Sequence, residues 1–201
     1  GFNSATITFN NGINLSNSSD WDGFIAKYNS SGVCQWAENI AGTDMDYVNS
    51  IITDANGNVY VAGHYDWTVP LTFNNGITLS SSGASDVFIA KYNSNGLCQW
   101  AEKIAGEDWD EARSIITDAN GNVYIAGYFY SDTLTFNNGI TVLGRVGYNG
   151  YITKYNSDGL CQWAEKIAGT HKVFANSIST VANGNVYVAG NFWSDSLIFN
   201  N

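Results

Sequence analysis

Basic residues, proline and cysteine are all scarce in this chain of 201 residues, which has 8 Lys and Arg against 18 Asp and Glu, one Pro and three Cys. The net charge of −10 has the wrong sign for a surface that neutralises phosphates, so we expect no nucleic-acid partner. No apolar run approaches the roughly 20 residues that a membrane helix needs, so no membrane insertion is predicted. Residue 1 is Gly, without a leader-like segment after it, which favours a processed protein or an excerpt from a longer one and permits secretion.

A repeat of about 64 residues dominates the sequence. The segment CQWAE begins at Cys34, Cys98 and Cys161, at offsets of 64 and 63 residues, and the segments ANGNVY and FNNGI recur with the same step. The chain is therefore predicted to be one repeat domain, 1–201. Its three units span residues of about 7–70, 71–133 and 134–196, and residues 197–201 are the start of a fourth unit.

Each unit contains strand-like runs joined by tight turns. In the second unit, hairpin turns are predicted at 120–121, 94–96 and 74–76, and no segment is typical of a helix. The runs VYIAG and VFIAKY are apolar or small on both faces, which predicts sheets that are covered on both sides. The pattern favours an all-β fold of radially stacked four-stranded sheets, and a stacked β-solenoid is the main alternative.

The units resemble the bacterial β-propeller repeat, whose blades read D-x-F-V-A-K, then G-x-x-x-W, then I-x-x-D-x-x-G-N-V-Y-V-x-G. The resemblance covers the whole chain and is carried in the second unit by Phe88, Ala90, Lys91, Gly96, Trp100, Ile115, Asp118, Gly121, Asn122, Val123, Tyr124 and Gly127. It implies β-propeller blades of four antiparallel strands in a surface or secreted protein, hence an extracellular or cell-surface location, and it implies no chemistry. The third unit departs from the pattern, with Val181 where Asp54 and Asp118 stand.

The resemblance also sets where one blade ends and the next begins. The ANGNVY hairpin would supply two inner strands and the CQW hairpin two outer strands, which predicts complete blades at about 50–106 and 114–169 and half-blades at 20–42 and 176–192. Three blades are too few to close a ring, so the expected partner is a second copy joined head to tail, in a ring or a filament. Two copies would make a six-bladed ring. The repeat-equivalent ends FNSATITFNN and FWSDSLIFNN leave open a longer polypeptide that supplies the missing blades.

Titratable side chains give little sign of catalysis. Equivalent cysteines on neighbouring blades should lie about 10 Å apart, too far for a disulfide, so free buried thiols are expected. His64 and His171 fall at unrelated repeat positions, and neither has an evident catalytic partner. We therefore predict that the chain is not an enzyme. The repeated Lys27, Lys91 and Lys154 are predicted to pair across their hairpins with Glu38, Glu102 and Glu165.

The units differ mainly in their loops, where a local function would lie. The candidate ligand-binding residues are loop aromatics and one histidine: Trp21, His64, Tyr65, Trp67, Tyr128, Tyr130, Tyr148, Phe192 and Trp193. They could stack on sugar rings, anchor a protein partner, or pack between blades. No cofactor is expected, except that Ca²⁺ could bind clustered loop carboxylates: Asp44, Asp46, Glu107, Asp108 and Asp110.

Two functions fit these features. The first is a non-catalytic extracellular protein with a structural or adhesive role, whose copies join head to tail. The second is a lectin-like module that reads glycans with its aromatic loops and gains avidity from repetition.

Overall fold

The computed structural model describes residues 1–17, 20–42, 44–66 and 70–199. The strands before the first complete blade are β1 (Thr6–Thr8), β2 (Asn14–Ser16), β3 (Gly23–Tyr28) and β4 (Cys34–Ile40). The next six are β5 (Asp46–Thr53), β6 (Val59–Asp66), β7 (Leu71–Thr72), β8 (Thr78–Leu79), β9 (Ser85–Tyr92) and β10 (Cys98–Ile104). Their equivalents are β11 (Asp110–Thr117), β12 (Val123–Phe129), β13 (Thr133–Thr135), β14 (Thr141–Leu143), β15 (Asn149–Tyr155) and β16 (Cys161–Gly169). The last are β17 (Lys172–Thr180), β18 (Val186–Trp193) and β19 (Leu197–Phe199).

Two complete blades and two half-blades follow the repeat. Blade 1 has the strand order β5-β6-β9-β10, and blade 2 has the order β11-β12-β15-β16, with β19 added beside β16. The N-terminal half-blade is the β3–β4 hairpin, and the C-terminal half-blade is the β17–β18 hairpin. All of these pairs are antiparallel, which confirms the prediction of four-stranded antiparallel blades.

The blades stack with like strands side by side. Strand β5 contacts β11, and β11 contacts β17, so the ANGNVY hairpins of successive units stack on one another. Strands β6 and β12 are buried along almost their whole length, because blades cover them on both faces. One core cluster joins Tyr60 and Ile89 of blade 1 to Ile125 and Tyr151 of blade 2. No helix in the described ranges is long and apolar enough to cross a membrane.

The FNNGI segments form short hairpins that we call straps: β1–β2, β7–β8 and β13–β14. In the second strap, Asn74 Nδ2 donates to Gly96 O at 2.7 Å, and Cys98 N donates back to Asn74 Oδ1 at 2.9 Å. The strap also reaches the preceding half-blade through a bridge between Thr72 and Ala41. Each strap is thus tied to the outer hairpin of its own blade. A single 3₁₀ turn at Asn137–Gly139 in the third strap was not predicted.

Candidate functional site

The two half-blades expose side chains that the complete blades bury. Tyr28 in β3 is 51% exposed, whereas Tyr92 and Tyr155, its counterparts, are fully buried at 0%. Tyr187 in β18 is 59% exposed, and its counterpart Tyr60 is buried at 0%. Among the described residues, β3 pairs only with β4 and β18 only with β17. Each half-blade therefore presents a strand edge whose backbone groups are open to pairing with another strand.

An apolar groove of ≈ 360 Å³ lies beside β18 and is lined by Ile167, Val188 and Phe199, among others. In blade 1 the equivalent space is filled. There Phe88 and Ala90 of the third strand, β9, pack in one cluster with Ile40, Val61 and Phe73, the repeat counterparts of the three groove residues. The groove is therefore the place that a third blade strand occupies elsewhere in the chain.

Neighbouring blades are joined by donors from their outer hairpins. Trp100 Nε1 and Lys91 Nζ each donate to Ser157 O in the next blade, both at 3.1 Å. Trp36 Nε1 and Lys27 Nζ donate in the same way to Ser94 O, at 3.1 and 3.0 Å.

The predicted pairs of Lys27 with Glu38 and of Lys91 with Glu102 are therefore wrong. Lys91 lies opposite Trp100, and Glu102 lies opposite Ile89, in a register shifted by a bulge next to Cys98. The bulge turns Lys91 toward the neighbouring blade, where its Nζ donates to a backbone carbonyl instead of to water.

An aspartate organises each inner turn of the complete blades. Asp118 accepts bonds from the backbone N–H of Asn120 and Asn122, both at 2.9 Å, and from Tyr124 OH at 3.1 Å. Although burial would raise the pKa of Asp118, these hydrogen bonds lower it below its usual value. Asp54 makes the same bonds in blade 1. The DANGN segment is thus a turn stabilised by its own carboxylate.

The predicted ligand-binding residues are spread over different environments. Tyr65 is fully buried and its hydroxyl donates to Ser80 O at 3.1 Å, so it is a packing residue between blades. Tyr128 is also buried, whereas Tyr130, Phe192 and Trp193 are exposed. Trp67 lies outside the described residues.

Aromatic rings cluster where blade 2 meets the C-terminal half-blade. Tyr148 lies 4.9 Å from Tyr130 and 5.5 Å from Tyr128, and Phe174 lies 4.8 Å from Tyr128, between ring centroids. Lys172 Nζ lies 5.3 Å above the Tyr148 ring. Phe174 was missed from the sequence, although the aromatic residues at its repeat position in the first and third units, Tyr47 and Phe174, could have indicated it.

Two cationic residues, Lys172 and Arg113, and one anionic residue, Glu111, border this aromatic cluster. Arg113 forms an ion pair with Glu111 at 3.1 Å and donates to Tyr128 OH at 2.8 Å. Burial and the neighbouring Glu111 raise the pKa of Tyr128 to about 12, so the phenol stays neutral. Within this cluster Tyr130 is exposed, whereas Tyr148 and Phe174 are half-buried.

A second, smaller stack lies between the N-terminal half-blade and blade 1. Tyr47 stacks on His64 at 4.7 Å and lies 6.3 Å from Trp21. Asn49 Nδ2 lies 3.1 Å from His64 Nδ1 and donates to Ala112 O at 2.8 Å. Burial lowers the pKa of His64, which favours the neutral ring. His64 is therefore held inside a packed junction.

The predicted carboxylate cluster divides into buried and exposed members. Burial and repulsion from the buried Asp22 raise the pKa of Asp46 to about 7, and burial and Asp86 raise the pKa of Asp110 to about 7. Hydrogen bonds from Ser131 to Asp110 partly oppose that increase.

The remaining members of that cluster lie in the loops themselves. Asp44 and Asp108 accept the N–H of the following residues, Met45 and Trp109, and Glu107 is exposed. Within the described part of the chain, no three His, Cys, Asp or Glu side chains converge as a metal site requires.

Comparisons with known proteins support the repeat. A family model described as a beta-propeller repeat matches residues 35–64, which span the second half of one outer hairpin and the first inner hairpin. An uncharacterized WD repeat-containing protein of Acanthamoeba polyphaga mimivirus is 32% identical over 155 residues, which cover 70% of this chain and 11% of the relative. The regulatory protein FlaEY of Caulobacter vibrioides is 29% identical over 136 residues, which cover 67% of this chain and 14% of the relative.

The chain thus spans only a small part of the curated relatives it matches. The recurring segments, the four-stranded antiparallel sheets and the family match together show that this chain is a β-propeller repeat protein.

Proposed function

We propose that this chain is a non-catalytic structural or adhesive module of the cell exterior, whose copies join head to tail through the half-blade edges. The observation that carries the proposal is the open edge of β18, with Tyr187 exposed beside an apolar groove, while the same position is buried in both complete blades. Unpaired strand edges with apolar side chains favour pairing with another strand. The edge of β3 is complementary, because β3 is the equivalent of the strand that covers β6 and β12.

A non-catalytic role is supported by how the buried titratable groups are used. Asp110 accepts hydrogen bonds from Ser131, and Asp46 accepts the N–H of Gly42, so both carboxylates brace their own loops. His64 is packed between rings. The extracellular placement rests on the resemblance to repeats of surface and secreted proteins.

The molar mass in solution tests the assembly. Light scattering over a range of concentrations should give masses above the 21.8 kDa of one chain. Tyr187→Lys places a charge at the open edge of β18 and should return the chain to one-copy mass. Leu143→Lys is the matched control, since Leu143 is 66% exposed and its strand β14 pairs with β13 and not with β3 or β18, and it should behave as the unsubstituted chain. A folded chain of one-copy mass at every concentration would contradict the proposal.

Glycan binding is the second candidate function, favoured by the exposed rings of Tyr130 and Trp193 on the loop face. Tyr130 is held against Tyr148, so its free face is presented in a fixed orientation, as sugar stacking requires. A glycan array probed with the chain and with Tyr130→Ala tests it. Binding that is lost in Tyr130→Ala but kept in Tyr28→Ala would support this function, and no binding above background would exclude it.

A further inference from the structure

The register of the complete blades can be transferred to the two half-blades. In blade 1 Gly63 of β6 lies opposite Phe88 of β9, and in blade 2 Gly127 lies opposite Tyr151. A Cβ atom on either glycine would first meet a backbone carbonyl of its own hairpin, at 1.8 or 2.0 Å, and would also stand 2.8 Å from the ring of the opposite aromatic residue. The glycine therefore leaves room both for its own hairpin and for the aromatic side chain. Gly190 of β18 and Phe24 of β3 occupy these same repeat positions, so the two half-blades carry matching halves of the contact.

The donors between blades give a second match. Trp36 donates to Ser94 O and Trp100 to Ser157 O, each in the next blade. Trp163 is the third member of the series, and no acceptor for its Nε1 lies among the described residues. Ser30, in the turn of the N-terminal half-blade, is exposed and has the repeat position of Ser94 and Ser157. Seating that half-blade on β18 of another copy would bring Ser30 O to Trp163 Nε1.

The inner strands give a third match. Ile115 N donates to Ser50 Oγ at 3.2 Å, and Ile178 N donates to Ser114 Oγ at 3.3 Å, which links β5 to β11 and β11 to β17. The next step of this series would join Ile51 N to Ser177 Oγ. Both residues lie at the ends of the stack, and Ile51 is 52% exposed although its counterpart Ile115 is 2% exposed.

Strand β19 occupies part of the same surface. It pairs with β16, so that Ile198 lies opposite Ala168. This pair is the repeat equivalent of the bridge between Thr72 and Ala41, by which the second strap contacts the preceding half-blade. A second copy would bring its own strap, β1–β2, to that place. The incoming strap is tied to β3–β4, because Asn10 Nδ2 donates to Gly32 O at 2.7 Å and Asn11 Nδ2 donates to Cys34 O.

The two segments therefore compete, and their attachments differ. Residues Asn191–Phe199 and Gly1–Phe9 share repeat positions, and Phe2 already exchanges two backbone hydrogen bonds with Asp22. Strand β19 is held by three residue pairs on β16 and leaves Phe199 exposed. The incoming strap is the better anchored of the two, so β19 is the segment that is released.

We propose that two copies close into one six-bladed ring, in which β3 of each copy pairs with β18 of the other and the incoming strap displaces β19. This inference rests on the proposed head-to-tail function and adds its partner, register and stoichiometry. Two complete blades and two halves amount to three blades per copy, and propellers typically have about 4 to 8 blades. For the 201-residue chain, with its three blades, six is the only multiple of three in that range, so two copies of this chain would close the ring with two identical seams.

Crosslinking across the seam tests the ring. In the transferred register Lys27 lies opposite Tyr187, as Lys91 lies opposite Tyr60 in blade 1. Both side chains are exposed, so the double variant Lys27→Cys with Tyr187→Cys should fold, and opposed strand positions come close enough for a disulfide. The native thiols are buried and should not compete. After mild oxidation, a non-reducing gel should show one product at twice 21.8 kDa. Each single variant should show little of this product.

The alternative outcomes separate the two proposals. A ladder of higher multiples would overturn the ring but keep head-to-tail joining. An assembled chain without the disulfide would overturn the register, and a chain of one-copy mass would overturn both proposals. Shortening the double variant to end at residue 193 removes β19, and it should form the product at lower protein concentration. An unchanged concentration dependence would overturn the competition between β19 and the strap.

Discussion

Trp100 Nε1 lies 3.1 Å from Ser157 O and donates to it across the boundary between blade 1 and blade 2. The same carbonyl accepts from Lys91 Nζ, also at 3.1 Å. Two donors on one outer hairpin thus hold the turn of the next blade at a fixed distance. Because the contact recurs one repeat earlier, it is a property of the repeat and sets how one blade follows another.

Removing the indole donor should loosen the junction between blades. Trp100→Phe keeps a ring but leaves Ser157 O with Lys91 alone, and we expect a loss of about 1 kcal/mol in the free energy of unfolding, beyond a smaller packing cost. Trp163→Phe is the matched control, because Trp163 Nε1 has no acceptor in the described residues of one copy. Denaturant titration at a concentration where the chain is a single copy should show a smaller loss for Trp163→Phe. Equal losses would contradict this role for the indole.

Restoring the missing aspartate should stabilise the last inner turn. Val181 stands where Asp118 accepts two backbone N–H groups, and in the third unit Asn185 N donates to Asn183 Oδ1 instead, at 3.1 Å. Val181→Asp supplies the acceptor, and we expect a gain of about 1 kcal/mol for the β17–β18 hairpin. Hydrogen exchange of the amides at 183 and 185 measures it. Val181→Asn tests the part due to charge, and faster exchange in Val181→Asp would contradict the prediction.

Stability should fall as the pH rises toward neutrality. The pKa of Asp110 is raised by burial from 3.8 to about 7, so between these values the folded state binds more protons than the unfolded state, and the free energy of unfolding decreases with pH. Asp46 acts in the same direction. Each unit of pKa difference corresponds to about 1.4 kcal/mol. Asp110→Asn should flatten the pH profile between about pH 4 and 7, measured by urea unfolding.

The pH prediction has a control and a lower limit. Glu107→Gln changes an exposed carboxyl in the same loop and should leave the profile unaltered. As the pH falls below 3.8 toward the pKa of Asp118, which hydrogen bonds lower against the effect of burial, stability should fall again, because the protonated carboxyl loses its N–H partners. A profile that rises steadily from pH 4 to 7 would contradict the account.

The three thiols should react only when the chain unfolds. Cys34, Cys98 and Cys161 are free and buried, as the sequence predicted, and burial raises the pKa of Cys98 to about 12. Since the thiolate is the reactive form, a thiol reagent at pH 8 should label none of them rapidly in the folded chain and all three in denaturant. Rapid labelling of one folded-state cysteine would show that its blade opens locally.

The fold could be predicted because its signals are local and repeated. Asn-Gly turns and apolar runs mark the hairpins, and the recurrence of Cys34 at Cys98 and Cys161 fixes the size of the unit. The prediction of blades as β5-β6-β9-β10 and β11-β12-β15-β16 combined the order of hairpins within a unit with the blade boundaries that the resemblance to the β-propeller repeat implies.

The side-chain partners could not be predicted in the same way. In the observed register, which contains a bulge beside Cys98, Lys91 lies opposite Trp100, and its Nζ reaches Ser157 O of the next blade instead of Glu102. Nothing in the local sequence marks that bulge. The loop aromatics carried no sign of their burial either. Tyr65 and Trp193 are both aromatic, but Tyr65 is fully buried and Trp193 is exposed.

Hydrogen exchange of β18 as a function of protein concentration tests most directly whether its edge is a joining surface. The amides of Val186–Gly190 that face away from β17 should exchange rapidly in dilute solution, where the edge is open. At concentrations where copies join, they should become as protected as the equivalent amides of β6 and β12. Exchange of these β18 amides that stays rapid at every concentration, while β6 and β12 remain protected, would contradict head-to-tail assembly.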